Sequence, residues 1–255
     1  MFVLNNKIKI FIAAHKKFKE PTNNIYIPLH VGANNKKNLG YTKDSTKDNI
    51  SYKNSTFCEL TGMYWIWKNV KADIVGLVHY RRYFYKNFFK NKRNILSEYD
   101  IKKILTNNDI IVAPKGYTWG STVKDSYIKN HIEKDLIDCE KVLKELYPDY
   151  GKAYDEIMNG NFYCPFNMII TRKEIFDSYC SWLFNILFEL EKKVDIEDGR
   201  NNYNKRVYGF LAERLFNMWL LKNNHYKKVE KCVFNNEENM LKQRAEYFIK
   251  KIIKR

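Results

Sequence analysis

Short β-branched runs that alternate with amphipathic segments constrain this chain more than any other feature. Lys7–Ala14 (KIKIFIAA), Asp73–His79 (DIVGLVH) and Asp109–Ala113 (DIIVA) have the length and composition of buried strands, and Pro114 stops the third. Shorter or weaker strands are expected over Ile25–Val31, Asn161–Thr171 and Lys227–Phe234. Between them, Thr56–Val70 places Leu60, Tyr64, Trp67 and Val70 on one apolar helical face. Helices are also expected over Ser97–Asn107 with Ser97 as N-cap, over Arg172–Lys193 and over Lys205–Lys222. Val123–Leu146 predicts either one long helix or a broken pair. Strands alternating with helices predict an α/β domain with a mostly parallel central sheet. No internal repeat or linker divides it, so residues 1–235 form one domain and 236–255 a helical basic tail.

Composition narrows the function classes. Lys plus Arg number 45 against 29 for Asp plus Glu, a net charge of +16 that favours an anionic partner. Five separated cysteines, with no C-x-x-C, argue against a disulfide framework or a structural zinc site and for reduced thiols in the cytosol. No apolar run reaches the roughly 18 residues that span a bilayer. In the tail, Leu241, Ala245, Phe248, Ile249, Ile252 and Ile253 recur at helical spacing among lysines and arginines. That pattern suits an anionic leaflet, or equally a docked helix with a solvated basic face.

The candidate site residues cluster at predicted strand ends. His79-Tyr80-Arg81-Arg82-Tyr83-Phe84 follows a buried strand directly, where open α/β sheets bind ligands. Arg81 and Arg82 supply guanidinium forks suited to phosphate oxygens, one on the ligand and one anchoring the loop, or both serve surface ion pairs. Asp48-Asn49-Ile50-Ser51-Tyr52-Lys53-Asn54 leads into a helix start; Asp48, Asn49, Tyr52 and Asn54 either bond a base or sugar or form a turn and cap. Of Trp65 and Trp67, one belongs to the core and the other offers a stacking wall for a sugar. Asn167 stands among apolar strand residues and needs partners, from a ligand or from backbone. Arg206 and Glu213 lie near one helical face; Glu213 is a candidate general base, or pairs with Arg206 or a neighbouring helix. The histidines show no metal spacing, and neither a P-loop nor a dinucleotide fingerprint occurs.

Taken in order, Ala14-His15-Lys16, Tyr26-Ile27-Pro28, Val31-Gly32-Ala33, Asp48-Asn49-Ile50-Ser51, Glu59-Leu60-Thr61 with Tyr64-Trp65-Ile66-Trp67-Lys68-Asn69, the segment Gly76–Phe84, Asn167-Met168, and Arg206–Phe210 with Glu213-Arg214-Leu215 resemble a bacterial capsular and exopolysaccharide glycosyltransferase family long carried as a domain of unknown function. The resemblance implies a GT-A-like nucleotide-sugar-binding domain. It implies donor contacts from His15, Asp48, Asn49, Tyr52, Asn54, His79, Tyr80 and Arg206, and catalytic roles for Arg81, Arg82 and Glu213. Trp65 and Asn167 would face the acceptor. The partners implied are a nucleoside diphosphate sugar, uridine diphosphate-linked and with galactofuranose one candidate, and a lipid-linked or oligosaccharide acceptor at the inner face of the membrane. No Asp-x-Asp stands at a predicted strand end, so either arginines neutralise the diphosphate or a divalent manganese or magnesium ion is held elsewhere. The rival reading from charge and interleaved aromatics is a nucleic-acid-binding protein, and a third is an inactive sugar-nucleotide-binding module.

Overall fold

The structure is a computed structural model, and it describes residues 7–86 and 94–235. Its spine is β1 (Ile8–Ala14), with β2 (Tyr26–His30) parallel on one side and β4 (Ile74–His79) parallel on the other. A two-residue β3 (Thr42–Lys43) extends the sheet beyond β2. β9 (Ile169–Arg172) is antiparallel to β4 and to β6 (Ile110–Val112), so β6 runs the same way as β4. β10 (Lys228–Glu230) closes that edge parallel to β6. The mostly parallel sheet expected from the sequence is therefore present, with β9 reversed within it.

Register explains the two-layered core. On β1 and β4, Phe11, Ala13, Val75 and Leu77 face a cluster built with α2 (Leu60–Asn69), α5 (Glu133–Leu146), α7 (Lys173–Glu191) and α8 (Val207–Lys222). Ile8, Ile10, Ile12, Ile74 and Val78 face the opposite cluster with α3 (Glu98–Leu105). Each such fully buried aliphatic or aromatic side chain contributes about 1.5–3 kcal/mol relative to exposure. Gly76 allows β4 to lie close to β9: a Cβ there would sit 2.6 Å from Ile170 Cγ1 and 2.9 Å from the Ile169 carbonyl.

Ser97 caps α3 as expected. Its backbone N–H donates to Asp100 Oδ2 at 2.8 Å, and its hydroxyl accepts from the Asp100 N–H at 3.3 Å. Three expected elements are divided. The Thr56–Val70 helix becomes α1 (Asn54–Phe57) and α2, broken where Cys58 adopts φ 52° and ψ −131°. Val123–Leu146 is the broken pair, α4 (Val123–Asn130) and α5. The Asn161–Thr171 strand is β8 (Phe162–Tyr163) and β9, separated by a turn with Phe166 at φ 84° and Asn167 at φ 47°. Pro165 and two left-handed residues cannot continue a ladder.

Some elements carry no local signal. β5 (Arg82–Tyr85) folds back from β4 and pairs with β11 (Cys232–Asn235), far away in sequence. β7 (Gly116–Tyr117) pairs with β8 in a small separate sheet, and α6 (Gly151–Asn159) precedes it. No helix among the described residues is long and apolar enough to cross a membrane. The tail over 236–255 lies outside the described residues.

Candidate active site

The carboxyl ends of β1, β2 and β4 lie on one edge of the sheet, and the segments leaving them wall a cleft of about 530 Å³. β1 delivers Ala13 and His15, and β2 delivers His30 and Val31. The β4–β5 hairpin turns through Tyr80-Arg81, with His79 paired directly opposite Arg82. Cross-strand neighbours share a face, which brings His79 and Arg82 together. His79, Tyr80, Arg81 and Arg82 all line the cleft. β9 runs antiparallel to β4, so Asn167, two residues before its start, arrives at the same edge of the sheet.

The charge of the cleft is one-sided. Among the described residues, Lys36, Arg81, Arg82 and Arg206 of the lining are cationic and Glu59 is its one acid. Burial, and then the neighbouring Arg82, pushes the His79 imidazole down to about 3, so it is neutral near pH 7. Burial likewise lowers His30, and burial followed by Arg81 lowers His15. The guanidinium of Arg81 lies 4.9 Å from the Tyr80 ring centre, and that of Arg82 lies 4.4 Å from the Phe166 ring centre. His15 meets the Tyr80 ring edge-on at 5.3 Å. These contacts hold flexible cations on aromatic faces at the mouth of the site.

Glu59 owes its position to the break at Cys58. The left-handed residue turns the chain so that the carboxylate enters the cleft, where Oε1 accepts from Asn167 Nδ2 at 2.8 Å. The same amide donates to the Gly209 carbonyl at 3.0 Å, and Gly209 lets Cys58 approach: a Cβ there would lie 3.3 Å from Cys58 Sγ. Asn167 is 1% exposed, and its Oδ1 has no hydrogen-bond partner among the described residues. Burial raises the Glu59 carboxyl above its ordinary range, opposed by its bond to Asn167 and by Arg206 and Arg82. Arg206 leans into the site from the α8 start, its Nε donating to Cys58 Sγ at 3.2 Å. Asn54 lines the cleft too, donating to the Cys58 carbonyl at 2.7 Å and packing on Gly32, which sits at φ 64°.

Several predicted site residues lie elsewhere. Glu213 is outside the cleft lining: Oε1 accepts from the Phe166 N–H at 2.9 Å, and Oε2 pairs with Arg214 at 3.1 Å. It pairs with its own helix neighbour rather than with Arg206, and it holds the turn that carries Asn167. Asp48 accepts from the Tyr64 hydroxyl at 3.0 Å. Asn49 closes a local turn by accepting from the Ser51 N–H at 3.2 Å, and Tyr52 is exposed. The turn half of the turn-and-cap reading fits this stretch, Asn54 apart, while no side chain caps either short helix. Trp65 is buried, its indole donating to the Thr46 carbonyl at 3.0 Å, and Trp67 stacks on Phe184 at 5.7 Å. Neither tryptophan offers a wall to the cleft.

Sequence reasoning passed over Glu59, His30, Lys36 and Asn202 as cleft residues. One signal was available for Glu59: it is the only acid between Asp48 and Asp73. Asp44, also unremarked, is fully buried; it accepts from the Gly32 and Ala33 N–H groups at 2.8 and 3.0 Å and from the Ser51 and Thr61 hydroxyls. It fixes the loop after β2 against α2. Among the described residues no group of three or more His, Cys, Asp or Glu side chains comes together to hold a metal ion.

Among curated proteins none matches. A solved structure, the bifunctional glycosyltransferase WbbM in its apo form, is similar, with 32% identity and a TM-score of 0.84. The match covers 91% of this chain and 46% of that one, so this chain spans less than half of that protein's length. The similarity bears out the α/β, GT-A-like architecture. The chain belongs to the family described as a domain of unknown function, DUF4422, whose model matches residues 9–224.

Proposed function

We propose that this protein is a glycosyltransferase that moves a sugar from a nucleoside diphosphate donor to a hydroxyl of a surface glycan. The observation that carries this reading is the cleft at the strand ends, where Lys36, Arg81, Arg82 and Arg206 surround the single carboxylate Glu59. The likeness to WbbM supports it.

In this reading the cationic groups hold the diphosphate and stabilise the negative charge that grows on it as the bond to the anomeric carbon breaks. The new bond forms from an acceptor hydroxyl oxygen to that carbon, and the hydroxyl proton passes to Glu59. A base so placed serves inversion of the anomeric centre. The neutralising charge in this account is that of the cationic side chains of the cleft. Tyr80 and His15 border the nucleoside. A uridine diphosphate sugar is the donor proposed, with a lipid-linked or oligosaccharide acceptor.

Saturable binding of uridine diphosphate and its sugars by the purified protein tests the donor site. Arg82→Ala is expected to reduce transfer by about 10²–10³-fold, the scale of losing one pre-organised donor to a developing anion. Transfer at a near wild-type rate would remove the diphosphate clamp from the account.

The acceptor's place at a membrane gives the basic tail a role. Its sequence motivates attachment to an anionic leaflet through residues 237–255. Truncation before Leu241 is expected to free the protein from anionic vesicles in a sedimentation assay. Continued sedimentation would assign the attachment elsewhere.

A further inference from the structure

A second depression, of about 440 Å³, opens beside the β7–β8 ribbon and the start of α4. Its character differs from that of the cleft. Among the described residues the lining contains Asp125, Asn159 and Asn161 with two hydroxyl residues and two glycines, and no lysine or arginine. It is built for a neutral, hydroxyl-rich ligand rather than a phosphate.

Trp119, one residue before Gly120 of that lining and outside the lining itself, is 58% exposed. Its backbone is left-handed at φ 47°, followed by Gly120 at φ 80°. A bulky residue in that region is an outlier, held only where its surroundings over-determine it. Here they do. The Thr118 hydroxyl donates to the Ser121 carbonyl at 2.5 Å, and the Ser121 hydroxyl donates to the Thr118 carbonyl at 2.9 Å. The Thr118 N–H donates to the Asn161 carbonyl at 3.0 Å. Tyr117 supports the indole edge-on at 5.4 Å and itself leans on Phe162 at 5.0 Å. The turn therefore fixes a large aromatic plane in water, where it contributes nothing to the core.

The polar groups around it are available. The side-chain amides of Asn159 and Asn161 make no hydrogen bond to protein among the described residues. Asp125 accepts from Thr122 on Oδ2, from the N–H at 3.3 Å and the hydroxyl at 2.7 Å. An exposed indole one residue from a depression lined by amides and a carboxylate offers what a sugar ring needs, an apolar surface for its C–H face and polar groups for its rim of hydroxyls. The position is also suitable. Asn161 lies six residues before Asn167, whose amide holds Glu59, so at most about 20 Å of chain separates the two.

We propose that Trp119 and this depression form a carbohydrate-binding subsite that grips the acceptor glycan behind its growing end. This rests on the glycosyltransferase reading of the cleft. The subsite sets how long an acceptor must be to bind well, while the cleft performs the transfer.

The test uses the full chain immobilised and exposed to a panel of lipid-free bacterial surface polysaccharides, with uridine diphosphate binding measured in parallel. At least one polysaccharide should bind the wild type, and Trp119→Ala should weaken it about tenfold. Asn161→Ala should weaken it as well. Uridine diphosphate should bind both variants as it binds the wild type, which also reports that they fold. Equal polysaccharide binding by wild type and Trp119→Ala would overturn the proposal, as would failure of the wild type to retain any member of the panel. Loss of uridine diphosphate binding by the wild type itself, with polysaccharide retained, would instead overturn the donor reading and leave the glycan subsite in place.

Discussion

Glu59→Gln is expected to reduce transfer by about 10²–10⁴-fold, the range associated with a positioned general base. The substitution is close to isosteric, and a glutamine oxygen still accepts from Asn167 Nδ2, so the local bond at 2.8 Å survives. What disappears is the one negative charge among the described lining residues, which carry four cations. Affinity for uridine diphosphate should therefore hold or rise, which separates a catalytic loss from a collapsed pocket. The pH profile gives an independent reading. Burial raises the Glu59 carboxyl, so the rate should climb with pH through a value above the ordinary carboxylate range. That acid limb should vanish in the glutamine variant. Stability follows the opposite sign. A folded-state value raised above the unfolded one contributes stability below the unfolded value, and this contribution is lost as pH rises through the folded one. Glu213 is raised for the same first reason, burial, so wild-type stability falls as both carboxyls ionise. Removing one of them should lessen that fall. If Glu59→Gln keeps more than half of the wild-type rate, the proton goes elsewhere and Glu213 becomes the next group to replace.

The way this site escaped and yielded to sequence reading has a physical basis. His15, His79, Tyr80, Arg81 and Arg82 were legible because β-branched runs announce buried strands, and the residues just beyond parallel strands meet at one edge. Glu59 was not, because a continuous helix from Thr56 would have pointed it along the helix surface. The left-handed Cys58 redirects it, and nothing local in a cysteine announces a positive φ. Trp65 and Tyr52 differ from expectation for the reverse reason: residue chemistry suggests a stacking wall for the tryptophan and a hydrogen bond to a base or sugar for the tyrosine, while packing puts one in the core and the other in solvent. β5 gives no strand signal of its own because its ladder is non-local, with Arg82 opposite Asn235. Two-residue strands such as β3 and β7 are too short for any period to show.

Arg200→Leu should cost about 3–5 kcal/mol of stability, the scale of stranding one member of a buried ion pair. The loop between α7 and α8 is polar, yet its Arg200 side chain is only 2% exposed, and that of its partner Asp135 on α5 is 4% exposed. The two make a bidentate fork, with Nη1 and Nη2 at 3.0 and 3.1 Å from the two carboxylate oxygens. Asp198 adds a second clasp at 2.7 Å. Leucine would leave Asp135 buried and charged without its cation. At roughly 2–4 °C per kcal/mol for a domain of this size, the melting temperature should fall by about 10 °C. Replacing Asp135 by leucine in the same protein should recover most of that loss, because an apolar pair can substitute for a buried ionic one. Function should not recover with it. Asn202, two residues beyond Arg200, and Arg206 line the donor cleft, and the fork is what ties their loop to α5. The double variant should therefore melt near the wild type yet bind uridine diphosphate more weakly, as measured by calorimetry well below either melting point. A single Arg200→Leu variant that loses less than about 1 kcal/mol would show that the fork contributes no more than a surface pair does. Full donor affinity in the double variant would show that Asn202 and Arg206 are positioned by something other than this clasp.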